Sequence, residues 1–340
     1  MSWIAQREKR GRAGRLLFLF CFTALLLVAG MLMSIKFGQA TVSWSDVFRA
    51  LKFQHHDKTD LYIRTLRLPR SLTACIAGIQ LALAGLLTQM ATKNPLASPH
   101  VFGINAGAAL AVVAGLALAA DLPLSALTLL AIAGSAAGAV LVWSLSGLGY
   151  RRHVHMALAG ITIHFLLSAL TEAMMILQPH STDSVMFWLV GSVSNAGWPQ
   201  VVALLPYFAG GLLLFGLLLP SFRLLVIDDE LAAGLGQRVA LVRSVALLLV
   251  VILAGSAVAV CGPISFICLI VPHIARALAG HRLAVLAPLT ALLGGSLLVY
   301  ADLASRMIAY PYESPVGIVT AAIGAPFFIY LARRNRRDAR

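Results

Sequence analysis

The sequence predicts an all-α protein whose helices cross a membrane about ten times. Of its 340 residues, 60% are hydrophobic and 11% are charged, whereas roughly a quarter of the residues of a soluble domain are charged. A soluble fold has too little core to hide this much apolar surface. A bilayer solvates apolar side chains and leaves the backbone hydrogen bonds to be closed within helices. The composition therefore indicates a polytopic helical membrane protein.

Ten apolar segments have about the 20 residues that a membrane-spanning helix needs. The first of them follows a basic segment and is longer than the core of a signal peptide, so we expect an uncleaved span. The ten segments lie near residues 16–35, 71–91, 99–120, 122–145, 155–177, 199–219, 241–260, 264–280, 284–300 and 315–332.

The distribution of basic residues predicts the orientation of these spans. An even number of spans places both termini on one side of the membrane. With that side cytoplasmic, 18 of the 26 lysines and arginines lie at the inner face and 8 at the outer face, as the positive-inside rule requires. We therefore expect a bacterial inner-membrane protein with cytoplasmic tails at 1–15 and 333–340 and one transmembrane domain at 16–332. The outer loop 36–70 is the exception, because it carries most of the outer positive charge.

Several functional classes are disfavoured by the sequence. The net charge of +13 lies mostly in short connectors, whereas a nucleic-acid-binding protein collects basic residues on one folded face. None of the five lysines follows a glycine, so the chain has no Walker A loop for ATP. The metalloprotease motif HExxH and the hydrolase motif GxSxG are also missing. We predict no enzymatic activity, no metal site, no cofactor and no nucleic-acid partner.

The inner loop at about 221–240 contains a short amphipathic stretch. It begins with acidic residues at Asp228 and ends at Gly236, a pattern typical of a helix start and a helix end. A short helix across the cytoplasmic face could dock on a partner protein or be an ordinary surface helix. The residues alone leave both interpretations open.

Two ionisable residues lie at membrane depth in the fifth predicted span. His164 and Glu172 are eight positions apart, which places them roughly 80° apart around a helix. Ionisable groups inside a membrane are candidates for function, and a proton-coupled transporter would use such a pair. A structural role for both residues is the favoured interpretation.

Several distinctive motifs follow one another in order from about residue 60 to 332. They include Arg67-Leu68-Pro69-Arg70, Asn94-Pro95-Leu96-Ala97-Ser98-Pro99, Gly103-Ile104-Asn105-Ala106-Gly107-Ala108, Gly262-Pro263-Ile264-Ser265-Phe266-Ile267, Val271-Pro272-His273 and Ala301-Asp302 with Arg306. This ordered set resembles the FecCD-type permease family of ABC importers, which covers iron(III)-siderophore, iron(III)-dicitrate, haem and cobalamin permeases.

This resemblance implies a ten-span permease fold with inverted repeats and a set of partners. The partners are a cytoplasmic ABC ATPase dimer that binds the ATP, a periplasmic or lipid-anchored substrate-binding protein, and a second permease copy or a paralogue. The expected cargo is an iron(III)-siderophore or iron(III)-dicitrate chelate moving from periplasm to cytoplasm. The alternatives are cobalamin or haem as cargo, or a proton-coupled secondary transporter that uses Glu172 and His164.

The resemblance also implies roles for individual residues. Arginines near the outer ends of spans would receive carboxylates of the binding protein; these are Arg67, Arg70 and Arg306. The alternative is that these arginines anchor helix ends at the lipid headgroups, or that Arg306, placed in the outer connector after span nine, pairs with Asp302 one turn earlier. The predicted contact with the ATPase is formed by Ala232, Leu235 and Gly236, where small residues would permit close approach. The predicted pathway or structural-motif residues are Asn94, Pro95, Gly103, Asn105, Gly262, Pro263, Pro272 and His273.

Overall fold

A computed structural model describes residues 2–38, 42–52, 57–119, 122–145, 152–177, 186, 188–308, 310 and 312–338. Within these ranges the protein is helical, and none of the residues lies in a β-strand. The predicted all-α class is therefore confirmed.

Short π-helical and 3-10 turns accompany the α-helices. A π-helical turn, Ile63–Arg67, leads into the central helix, and 3-10 turns occupy Pro99–Phe102 and Leu224–Val226. The α-helices are α1 (Ser2–Lys36), α2 (Trp44–Leu51), α3 (Lys58–Tyr62), α4 (Leu68–Thr92), α5 (Ile104–Leu118), α6 (Leu124–Leu145), α7 (Arg152–Leu177), α8 (Trp198–Leu217), α9 (Leu219–Arg223), α10 (Asp229–Gly234), α11 (Val239–Cys261), α12 (Ile267–Ala279), α13 (Leu283–Ile308) and α14 (Val316–Asp338).

Ten apolar helices in the described ranges match the ten predicted spans. Seven are long and apolar enough to cross a membrane, and three are shorter, at Ile104–Leu118, Ile267–Ala279 and Val316–Leu331. Helix α13 continues to Ile308, past the predicted end at residue 300. The prediction that Arg306 lies in a connector is therefore wrong, because this residue is in the last turn of α13.

Two of the short helices, α5 and α12, begin in the same way. Helix α5 follows a 3-10 turn and α12 follows an irregular segment, but each starts directly after a residue with left-handed backbone, Gly103 with φ of +67° and Phe266 with φ of +69°. Phe266 is unusual, because residues with a side chain rarely adopt this conformation. Its ring lies against Gly324, where a Cβ atom would come within 2.2 Å of the ring. Inverted repeats stay a prediction, which this parallel between α5 and α12 supports.

Helix α4 lies at the centre of the bundle and is buried along most of its length. It packs against α13, α11, α12 and α8, and glycines allow the backbones to approach closely. A Cβ atom on Gly78 would lie 2.4 Å from the carbonyl oxygen of Gly294, and one on Gly85 would lie 2.0 Å from that of Cys268. At about 1.5 Å per residue, α4 is long enough to connect the two faces of a membrane.

Candidate functional site

The first candidate region surrounds the N-terminus of α4 and is called the arginine end; it comprises Arg67, Arg70, Asp302, Arg306 and Glu313. Arg70 donates to Asp302 Oδ1 from Nε at 3.0 Å and from Nη2 at 2.7 Å, and to Glu313 Oε2 from Nη1 at 2.7 Å. Arg306 donates to Asp302 Oδ2 from Nε at 3.1 Å. One buried carboxylate thus joins two arginines, Arg70 of α4 and Arg306 of α13.

The same arginines also hold the C-terminus of α1. Arg67 Nη1 donates to the carbonyl oxygens of Ile35 at 2.7 Å and Lys36 at 2.6 Å, and Arg306 Nη1 donates to that of Ser34 at 2.9 Å. The last carbonyls of a helix lack partners within the helix and carry partial negative charge, so cations are favourable there. These contacts attach α1 to α4 and α13.

The three predicted docking arginines are buried rather than projecting from the surface. Arg67, Arg70 and Arg306 are 3%, 7% and 4% exposed. They line a cavity of about 550 Å³ together with Glu313, whose side chain is 25% exposed. The pair of Arg306 with Asp302, considered above as an alternative, is present. Docking of a partner carboxylate at these arginines stays a prediction.

The second candidate region lies at the other terminus of α4 and is called the coupling end; it comprises Lys93, Asp229 and Arg243. Lys93 ends α4 in a left-handed conformation with φ of +53°. Asp229, in the first turn of α10, is 2.6 Å from Lys93 Nζ and 3.0 Å from Arg243 Nη2. The hydrogen bond from Lys93 is the largest cause of the lowered pKa of Asp229, and Arg243 adds to it while partial burial opposes it.

The predicted coupling residues occupy different environments around α10. Ala232 is 1% exposed, so its side chain packs inside the protein and not on a free surface; its contact with the ATPase stays a prediction. Gly236 has φ of +84°, and a Cβ atom there would meet no neighbour within 4 Å.

Two leucines, one in α10 and one directly after it, are exposed. Leu235 is 67% exposed and Leu231 is 64% exposed. Because residues four apart share one helix face, these two leucines form an exposed apolar pair. Leu231 is missing from the predicted set, although its spacing from Leu235 was visible in the sequence.

A third region is a cavity of about 440 Å³ among α5, α7 and α14, called the histidine cavity after His100 and His164. The two imidazole rings lie 4.3 Å apart, centre to centre. Asn105, Glu172 and Pro263 also line it, so it brings together residues that the sequence singled out separately. His100 had no distinguishing signal in the sequence, since it is a single histidine in a short turn.

The remaining predicted motif residues have local structural contacts. Asn94 Oδ1 accepts from the backbone N–H of Leu96 at 2.9 Å. Gly262 lies against Trp188, where a Cβ atom would come within 1.8 Å of the carbonyl oxygen.

Three further predicted motif residues, Pro95, Pro272 and His273, lie in other parts of the fold. Pro95 lines a smaller cavity of about 290 Å³ that also contains Lys93. Pro272 is buried inside α12, and the ring of His273 packs edge-on against that of Phe327 at 5.8 Å. Among the residues that the structure describes, no three histidine, cysteine or acidic side chains are grouped as a metal site would require.

Comparison with known proteins identifies the family. Residues 26–334 match the FecCD transport family. The Fe(3+)-citrate import system permease protein YfmD of Bacillus subtilis is 42% identical, over 96% of this chain and 98% of that protein. The Fe(3+) dicitrate transport system permease protein FecD of Escherichia coli is 39% identical, over 94% and 99%. A solved metal-chelate type ABC transporter in an inward-facing conformation superposes with a TM-score of 0.80 at 28% identity, over 93% of this chain and 98% of that one. The chain is therefore a multi-pass membrane permease that belongs to the FecCD transport family.

Proposed function

We propose that this permease imports an iron(III) chelate of the citrate or siderophore type across the bacterial inner membrane, from periplasm to cytoplasm. The observation that carries the proposal is the family match over nearly the whole chain, together with relatives named for iron(III)-citrate and siderophore transport. Both termini are cytoplasmic in this proposal, so the coupling end faces the cytoplasm and the arginine end faces the periplasm.

The ATPase dimer docks at the coupling end. The exposed pair of Leu231 and Leu235 offers an apolar contact, and Asp229 fixes α10 to the ends of α4 and α11 through Lys93 and Arg243. A movement of α10 imposed by the ATPase would therefore pull on two membrane helices. ATP is bound and hydrolysed by this partner and not by the permease.

The substrate-binding protein docks at the arginine end, above a pathway shared with a second permease copy or a paralogue. Three arginines and two carboxylates line or underlie the cavity there, which leaves one net positive charge to attract an acidic partner. Since the arginines are held by contacts within the chain, a partner carboxylate would meet a rigid surface rather than flexible side chains. Such preorganisation reduces the cost of binding.

Affinity purification and reconstitution test this proposal. Purification from native membranes should recover an ATPase and a binding protein, and proteoliposomes with all components should take up radiolabelled iron(III) dicitrate or siderophore only when ATP is supplied. Uptake by the permease alone under a proton gradient would instead favour a proton-coupled transporter. Uptake of haem or cobalamin without uptake of iron chelates would show that the cargo is haem or cobalamin instead.

A further inference from the structure

We propose that the histidine cavity is a binding station for the chelate during its passage, and that Glu172 makes the station prefer neutral or cationic iron(III) chelates to polyanionic ones. This inference rests on the proposed function and adds to it a site and a charge preference. The residues assigned to the station are His100, Asn105, His164 and Glu172.

The cavity has one polar wall. His164, Ser168, Thr171 and Glu172 line it from α7, and their spacing of four, seven and eight positions places them along one side of the helix. A volume of about 440 Å³ lies within the range of small-molecule sites. The wall thus offers several hydrogen-bonding groups to one ligand of chelate size.

Two polar atoms of residues that line the cavity have no partner in the part of the chain that the structure describes. His164 Nδ1 and Asn105 Oδ1 are buried and make no hydrogen bond with any residue that the structure describes. Asn105 is 6% exposed, so little of its amide can be solvated from outside the protein. Buried polar groups without partners are uncommon and costly. Both residues line the same cavity, and a turn of the Asn105 amide or the His164 ring on ligand binding would bring these atoms to a hydrogen-bonding ligand.

The charge of the lining indicates which ligands are favoured. Among the described residues that line the cavity, Glu172 has a carboxylate and none is a lysine or arginine. The two histidines face each other at 4.3 Å, so protonating both is unfavourable and they do not add two positive charges. A chelate that keeps several free carboxylates would be repelled by Glu172. A trihydroxamate chelate, whose net charge is zero or positive, would not be.

Direct binding measures this preference without the selectivity of the binding protein. The permease–ATPase complex in nanodiscs is titrated with radiolabelled iron(III) trihydroxamate and iron(III) dicitrate. We expect wild type to bind the trihydroxamate more tightly. Asn105→Ala and His164→Gln should each weaken this binding about fivefold, the size of one lost hydrogen bond. Glu172→Gln should tighten dicitrate binding about threefold or more and leave trihydroxamate binding nearly unchanged.

A matched control lies on the same helix. His155 is exposed on α7 and does not line the cavity, so His155→Gln should bind both chelates as wild type does. Because Glu172 is itself exposed, Glu172→Gln removes a charge without disturbing the core, and it stays informative even where Asn105→Ala fails to fold.

The outcomes separate this inference from the proposed function. One outcome is that Asn105→Ala, His164→Gln and Glu172→Gln all bind both chelates as wild type does, while the wild-type transporter still imports iron(III) chelates with ATP. In that case the proposed binding station is wrong and the proposed function stands. Weaker dicitrate binding by Glu172→Gln would overturn the charge preference. If the wild-type transporter imports no iron(III) chelate, both proposals fail.

Discussion

The two termini of α4 carry the same chemistry in opposite environments. At the arginine end, Asp302 binds Arg70 and Arg306; at the coupling end, Asp229 binds Lys93 and Arg243. The side chain of Asp302 is 1% exposed, whereas that of Asp229 is 48% exposed. In each region one aspartate therefore joins two cations, but Asp302 is enclosed by protein and Asp229 is open to solvent.

This difference in burial assigns different mechanical roles to the two regions. Breaking a buried ion pair leaves uncompensated charges and typically costs about 3–5 kcal/mol, whereas an exposed pair contributes about 0–1 kcal/mol. The arginine end is thus expected to keep α1, α4 and α13 in one arrangement. The coupling end can open and close at little cost, which suits the movement proposed for it.

Removing the buried carboxylate is expected to have the largest effect. Asp302→Asn leaves Arg306 without its charge partner and Arg70 with Glu313 alone, and we expect a loss of about 3–5 kcal/mol in the free energy of unfolding. Denaturation of the purified protein in detergent measures this loss. The matched control is Asp57→Asn, because Asp57 precedes α3 without a side-chain capping bond. Equal stability of the two variants would remove the proposed distinction between the two ends.

The exposed carboxylate should affect coupling more than stability. Asp229→Asn should change the free energy of unfolding by less than about 1 kcal/mol, while uptake falls several-fold and ATP hydrolysis continues. The ratio of transported chelate to hydrolysed ATP measures this effect. Because the pKa of Asp229 is held below its usual value of 3.8, the contacts with Lys93 and Arg243 are complete at neutral pH and are lost only when the pH falls through that lowered value.

Substitutions around α10 separate docking from packing. Leu235→Ser removes an exposed apolar side chain and should weaken ATPase binding without altering the fold; Leu61→Ser is the control, since Leu61 is 63% exposed in α3. A large residue at Gly236 or Ala232 should also uncouple hydrolysis from uptake. At Ala232 we now expect reduced stability as well, because its side chain is buried. Co-purification of the ATPase with each variant measures docking.

Salt should have the smallest effect, and should act on docking alone. Ions screen exposed charges over a Debye length of about 8 Å at physiological strength but reach buried pairs much less. Higher salt should therefore weaken capture of the binding protein and leave the unfolding transition in place.

Arg67→Glu and Arg306→Glu should also impair docking of the binding protein. Both side chains are buried, so the variants must first be shown to fold. Salt-independent capture would argue against an electrostatic contact at the arginine end.

Much of the fold could be predicted from the sequence because hydrophobicity is a local property. The end of α13 could not be predicted in this way, because Asp302 and Arg306 look too polar for a membrane segment until their partners are known. Arg70, which neutralises Asp302, is 232 positions away in the sequence. The same limit applies to the sites. Nothing local shows that Asn105 and His164 face one cavity, or that Ala232 lies on the inner side of α10.

The attachment of α1 has a consequence for biosynthesis. Only 11% of the most apolar stretch of α1 is buried inside the protein. The carbonyl groups at its C-terminus are held by Arg67 and by Arg306, which follows Ser34 by 272 positions. Because α1 leaves the ribosome long before α13, its anchoring is complete only after α13 has been synthesised. A nascent chain halted before Leu283 lacks α13 entirely, and in such a chain α1 should remain accessible to lipids and to membrane proteases.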